Sequence, residues 1–259
     1  MMKFRTDLAI DKAESEKSIK KEEKSDGVTV YKSIEKKEKH ITITFPPLDL
    51  ISNSSVIESE IEKALDLLVP KERESILIAG LGNTEITPDS VGPAVANSVL
   101  ATRHIAGEFS EKIGLKNLKS ISVITPNVLG KTGIETAELI SAAADRVKPQ
   151  AIIVIDALAS SETDRLFRTV QLSDCGILPG SGVKNSRKEI SSKTLGVPTI
   201  ALGVPTVVDI GKFSERTDGM IVTPKDVDLL CKKISEILSR SLNFFLQPQI
   251  DREIILSLV

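Results

Sequence analysis

Apolar and polar residues alternate over 28–34 and again over His40-Ile41-Thr42-Ile43-Thr44-Phe45, the period-two pattern of half-exposed strands. These two runs are expected to form a hairpin or a sheet edge, ended by Pro46-Pro47, which cannot continue a ladder. The period then changes. Val56, Ile61, Ala64, Leu65 and Leu68 fall on one face of a helix that Ser54 or Ser55 caps and Pro70 stops. Beyond it, short apolar runs alternate with helical patterns. Ser75-Ile76-Leu77-Ile78-Ala79 reads as a buried strand, followed by a glycine-rich turn, Asp89 and a helix to about Leu100. Residues 120–125 read as a strand. Residues 132–147 read as a helix, with Ile134, Ala137, Ile140, Ala144 and Val147 at helical spacing. Residues 151–155 form the most apolar strand, and 199–202 a later one. Residues 172–187 carry Gly176, Pro179, Gly180 and Gly182 with little periodicity, so they are expected to be a long loop. The stretch from Pro224 onward reads as two helices parted near 243–248.

Strands alternating with helices predict an α/β fold: three layers, a mostly parallel twisted sheet with helices on both faces, and an N-terminal β-hairpin. No internal repeat or low-complexity linker divides the chain, so a single domain over 1–259 is expected. Within it, 1–50 would be a charged segment and hairpin, 75–210 the α/β core, and 224–259 the C-terminal helices.

Composition sharpens this picture. Hydrophobic residues are 41% and aromatics only 3%, with no Trp, so the core must come from Ile, Leu, Val and Ala, as suits a buried parallel sheet. Charged residues are 27% with a net charge of -2, which excludes the basic surplus of a nucleic-acid binder. The Lys/Glu run over 11–39 mixes both signs and reads as solvated surface. Cys175 and Cys231 are far apart and neither belongs to a C-x-x-C pair, and a structural zinc site needs about four ligands where the chain has two Cys and two His in total. They read as two thiols in a reducing compartment. The N-terminus has no apolar core of a secretory signal, and no run approaches the ~20 apolar residues of a membrane span. A soluble, cytoplasmic protein with no membrane partner is expected.

Sites in open α/β sheets form beyond the carboxyl ends of the strands. Two acids follow apolar strands. Asp89 lies in Gly80-Leu81-Gly82-Asn83-Thr84-Glu85-Ile86-Thr87-Pro88-Asp89, which lacks the third Gly of a dinucleotide fingerprint and the Lys of a phosphate loop. Its plainer reading is a helix cap. Asp156 ends the strand over 151–155, where burying a carboxylate costs several kcal/mol unless it is paired. Both can face one crevice. Two close carboxylates raise one pKa, so one can act as acid and the other as base on water; alternatively they ligate a divalent cation through oxygen. Other schemes are weaker. Ser181, in Pro179-Gly180-Ser181-Gly182, misses the first Gly of a nucleophile elbow, and Cys175 has no nearby His. His104 is kept as a candidate ligand or base, though a His at a helix end is usually a surface or capping residue. Backbone N–H groups around Gly80–Asn83 or Gly180–Gly182 are candidates for stabilising a developing oxyanion. Glu135, expected in a first helical turn, is a third candidate acid. Arg187 could orient an acidic substrate side chain.

These stretches, taken in order, resemble the germination proteases of endospore-forming bacteria. The resemblance is carried by Arg5-Thr6-Asp7-Leu8-Ala9, the 80–93 segment, Thr102-Arg103-His104, Thr132-Gly133-Ile134-Glu135-Thr136, and Ile155-Asp156-Ala157-Leu158-Ala159. It continues through Pro179-Gly180-Ser181-Gly182-Val183, Leu195-Gly196-Val197-Pro198 and Gly203-Val204-Pro205-Thr206-Val207-Val208-Asp209. It implies an endopeptidase that cuts small acid-soluble spore proteins at germination, in the spore core, using two aspartates that match Asp89 and Asp156. It also implies a zymogen and a homotetramer. Only Met1-Met2-Lys3-Phe4 precede the first motif, so the expectation is either that a conventional propeptide is lacking or that the start differs from that of the relatives. The family's fold is similar to that of hydrogenase-maturation proteases, which bind a metal through Glu, Asp and His. Motif alignment puts Asp89 at the Glu position and Asp156 at the Asp position, with no third ligand. The expectation is a metal-free carboxylate pair with no cofactor. The alternatives are a metal-dependent maturation-type peptidase and a non-catalytic sporulation protein that keeps the fold.

Overall fold

The computed structural model of the chain describes residues 7–8, 19–35, 38–107, 110, 112, 115, 117–180, 187–210 and 220–258. Strands β1 (Lys20–Glu23), β2 (Thr29–Glu35) and β3 (Glu38–Thr44) lead into helix α1 (Ser55–Leu68). Then come β4 (Ser75–Gly80), α2 (Val91–Asn97), β5 (Ser120–Ile124), the short α3 (Leu129–Thr132) and α4 (Thr136–Val147). They are followed by β6 (Ala151–Ser160), β7 (Thr169–Ser173), the short α5 (Ser192–Leu195) and β8 (Thr199–Asp209). The chain closes with β9 (Ile221–Val222), α6 (Val227–Leu246) and α7 (Arg252–Leu258).

Among the described residues these strands make one mixed sheet in the order β1-β2-β3-β7-β8-β6-β4-β5, with β9 beside the end of β8. β8, β6, β4 and β5 run parallel and form the expected α/β core. The expected hairpin, β2 and β3, joins the same sheet: β3 pairs antiparallel with β7, and β7 with β8. Period-two alternation sends Ile76, Ile78, Ile153 and Ile155 to one face, where α1, α2 and α6 cover them. It sends Leu77, Ala79, Ile152 and Val154 to the other, under Ile140 and Ala144 of α4. Helices therefore lie on both faces, and the core strands read as continuous apolar runs because neither face meets water.

Four boundaries differ from the sequence reading. β1 lies inside the Lys/Glu run and pairs with β2 at the sheet edge, where its mostly exposed charged side chains discourage further pairing. β7 occupies the start of the expected loop. β8 runs on to Asp209 rather than stopping at Leu202. The helix expected over 132–147 begins at Thr136, because Gly133 adopts φ 71°, closes α3, and leaves Ile134 43% exposed outside either helix. No helix among the described residues is long and apolar enough to cross a membrane.

Candidate active site

The site arises because neighbouring strands differ in length. β4 ends at Gly80, paired with Ile155, while β6 continues beside β8 until Ser160 pairs with Val208. Asp156 is thus the first β6 residue past the end of β4. Its β8 partner is Gly203. The sequence reading ended the strand at this acid; instead β8 goes on supplying ladder bonds, so the strand continues and the opening lies on the β4 side. Asp156 is only 6% exposed, and its Oδ1 accepts the Ala157 N–H at 2.9 Å. Alternation places it on the same face as Ile152 and Val154, the face that α4 covers.

Asp89 reaches this opening on the connection from β4 to α2. Leu81 N–H donates to Ile155 O at 2.8 Å, and the chain then turns at Gly82, whose φ is 118°. Asn83 N–H donates to Asp89 Oδ2 at 2.8 Å, and Asp89 closes a single 3-10 turn over Thr87–Asp89. Behind the turn, α2 comes close enough to the strand ends that a Cβ on Gly92 would sit 2.2 Å from Leu81 O and 2.5 Å from Ile155 O. Cys231 of α6 braces the other side, its Sγ 3.3 Å from Thr87 O. The glycines here serve backbone approach. Asn83 serves the turn: its side-chain Oδ1 accepts the Glu85 N–H, and its backbone holds Asp89.

A third carboxylate joins them. Asp7 Oδ2 accepts the Ala159 N–H at 2.9 Å and Asp7 N–H donates to Ala159 O at 3.0 Å, so residues 7–8 lie along the far end of β6. Leu8, fully buried, packs on Leu158. The sequence showed Asp7 only as part of a resembling motif; no local pattern says that this segment returns to β6. Burial pushes the Asp156 carboxyl well above the ordinary aspartate range, and the charges of Asp89 and then Asp7 push it further. Burial also raises Asp89, against the opposing pull of the Asn83 N–H.

These acids open into a cavity of about 390 Å³. Gly82, Gly180, Thr136 and Arg187 line it, together with apolar side chains such as Ile86, Leu129, Leu158 and Val207. Arg187 and Gly180 therefore join the aspartates as read from sequence. Ser181 and Gly182 lie outside the described residues. Glu135 is the residue before α4 rather than in its first turn, and it does not line the cavity; the neighbouring Thr136 does. His104 sits in an exposed turn whose Thr102 and Arg103 N–H groups both bond Ile121 O, near the start of β5. That is the opposite end of the parallel strands, so His104 is not part of this site.

The germination protease family, peptidase A25, matches residues 6–218. A germination protease of Caldanaerobacter subterraneus subsp. tengcongensis is 38% identical, over 81% of this chain and 78% of that one. One from Clostridium perfringens (strain SM101) is 31% identical over 96% of each chain. Among solved structures the chain is similar to the NiFe hydrogenase maturation protease HycI from Thermococcus kodakarensis, at 15% identity and TM-score 0.38, over 69% of this chain and 98% of that one. The family match spans most of the chain, and the two relatives align over 78% and 96% of their own lengths, so the chain belongs to the germination protease family and is an endopeptidase of spore germination.

Proposed function

We propose that Asp89 and Asp156 cleave peptide bonds of small acid-soluble spore proteins by activating water between them. The observation that carries this reading is a buried carboxyl, Asp156, facing a second carboxyl in one cavity. Like charges this close titrate as a pair, so one proton is retained where two isolated aspartates would have none. Asp156, the more strongly raised, keeps that proton, and Asp89 is the base. Asp89 takes a proton from water as the water oxygen bonds to the carbonyl carbon. Asp156 gives its proton to the leaving nitrogen as the C–N bond breaks, so the net change is addition of one water. Leu81 N–H is taken by Ile155 O and Asn83 N–H by Asp89 Oδ2, so the N–H of Gly82, on the cavity wall between them, is the candidate donor to the developing oxyanion. Arg187, also in the lining, suits an acidic side chain of the substrate. The spore core as the place of action and assembly as a homotetramer belong to the same reading, through the family resemblance.

The test is cleavage of a purified small acid-soluble spore protein by the chain, its Asp89→Asn and its Asp156→Asn variants, with and without chelator. Loss of cleavage in both variants and indifference to chelator support the pair. Full activity in either variant sinks it. Cleavage stopped by chelator and restored by a divalent ion would replace it with oxygen-ligated metal chemistry.

A further inference from the structure

We propose that Glu38, His40 and Cys175 form a binding site for a divalent transition metal of the zinc class, at the root of the loop that walls the cavity. The sheet register assembles them. β3 and β7 are antiparallel with His40 opposite Ser173, so the next same-face pair along the ladder is Glu38 opposite Cys175. The ladder does continue: Asp174 N–H donates to Lys39 O, and Lys39 N–H donates to Asp174 Oδ1 at 2.7 Å. One ligand atom from each of Glu38, His40 and Cys175 lies within 4.8 Å of the others, and all three residues are half-buried. A tetrahedral zinc holds its ligands roughly 3.3–3.8 Å apart, so small side-chain rotations close the site.

The donor set has the right chemistry. Imidazole nitrogen, thiolate sulfur and one carboxylate oxygen suit a borderline-soft ion and not magnesium or calcium. Two anionic ligands and a neutral imidazole balance a dication, leaving a fourth position for water. Ser173 Oγ lies 3.2 Å from Cys175 Sγ, where its hydroxyl can turn to donate to a thiolate. Lys193 Nζ, 3.7 Å from Glu38 Oε1, is the cation that a metal would compete with. Binding breaks the Cys175 S–H bond, forms a metal–sulfur bond and releases one proton to solvent, with no change of oxidation state. Just past Cys175, Gly176 packs against Ile190 O, Ile177 bridges to Ile190, and Pro179 and Gly180 line the cavity. A bound metal would therefore clamp the base of the loop without touching the aspartates.

The experiment is titration of the reduced, chelator-stripped full chain with Co2+ alone. A near-ultraviolet thiolate-to-cobalt band that saturates at one ion per chain, and that Zn2+ erases, is expected. Calorimetry in buffers of different ionisation enthalpy should find about one proton released. Cys175→Ser should abolish the band, Glu38→Gln should weaken binding by more than about tenfold, and Cys231→Ala should leave it intact. Lys193→Ala should tighten binding by up to about fivefold, a gain that unfolding could not produce. No band in the wild type, or a band that survives Cys175→Ser, overturns the proposal. Any chelator sensitivity of cleavage that arises here disappears in Cys175→Ser, whereas sensitivity from an ion between the aspartates persists.

Discussion

Replacing Gly92 with Ala tests whether backbone approach positions Asp89. The added Cβ would lie 2.2 Å from Leu81 O, 2.5 Å from Ile155 O and 2.8 Å from Leu81 N. All three are backbone atoms where β4 ends beside β6, and Leu81 N–H is already bonded to Ile155 O, so none can rotate away. Ordinary contact begins near 3.4 Å, so α2 must retreat by about 1.2 Å. The short turn that bears Asp89 leads directly into α2 and moves with it. A catalytic group displaced by about 1 Å costs roughly 100-fold in rate, or about 2.7 kcal/mol of barrier. Overpacking costs a further ~1–3 kcal/mol of stability. The assay is kcat and KM for cleavage of a protein substrate, run where a urea titration shows the variant folded. A large fall in kcat with little change in KM is expected. Gly130→Ala is the control: nothing lies within 4 Å of its Cβ position, and it sits in α3, so activity should hold and stability should rise by at most ~1 kcal/mol. Wild-type kcat in folded Gly92→Ala would refute the account of how Asp89 is placed.

Asp156→Asn should stabilise the fold at neutral pH while removing activity. The folded carboxyl is raised by burial and by Asp89 and Asp7, so the native state keeps a proton that the unfolded chain releases. Wild-type stability therefore falls as pH climbs from the ordinary value of 3.8 through the folded pKa, at up to ~1.4 kcal/mol per pH unit. Asn has no proton to lose, so the variant's urea midpoint should stay flatter over that window and exceed the wild type's above it; an identical pH dependence would show that Asp156 is not the perturbed group. Gln247→Leu probes the opposite end of the sheet. This fully buried amide donates to Thr102 Oγ1 and Lys119 O and accepts the Lys119 N–H. Orphaning those partners should cost ~2–4 kcal/mol in urea unfolding with kcat unchanged, and a shift under ~0.5 kcal/mol would contradict it.

Much of this was legible from local pattern. The runs over 75–79 and 151–155 are apolar at every position that both faces of a parallel sheet must bury, and β4 and β6 follow from them. Asp156 stood out because a carboxylate in such a run is costly. Asp89 stood out because glycines and a proline surround it after a strand. Arg187 and Gly180 were found through the loop that holds them. Other features had no local signal. β1 is written in Lys and Glu, and only its neighbour β2 makes it a strand. Glu135 and His104 looked like chemistry, but their places relative to the strand ends are set by where each connection turns.

Sequence alone therefore determined the α/β class, the core strands and the two acids, since period and burial cost act within a few residues. Tertiary structure alone decided the register that ends β4 beside Asp156, the return of Asp7 to Ala159, and the meeting of Glu38 and His40 with Cys175. The reason is physical: those placements depend on which strand pairs with which and where each one stops, and ladder bonds between distant segments carry no mark in either segment's own residues.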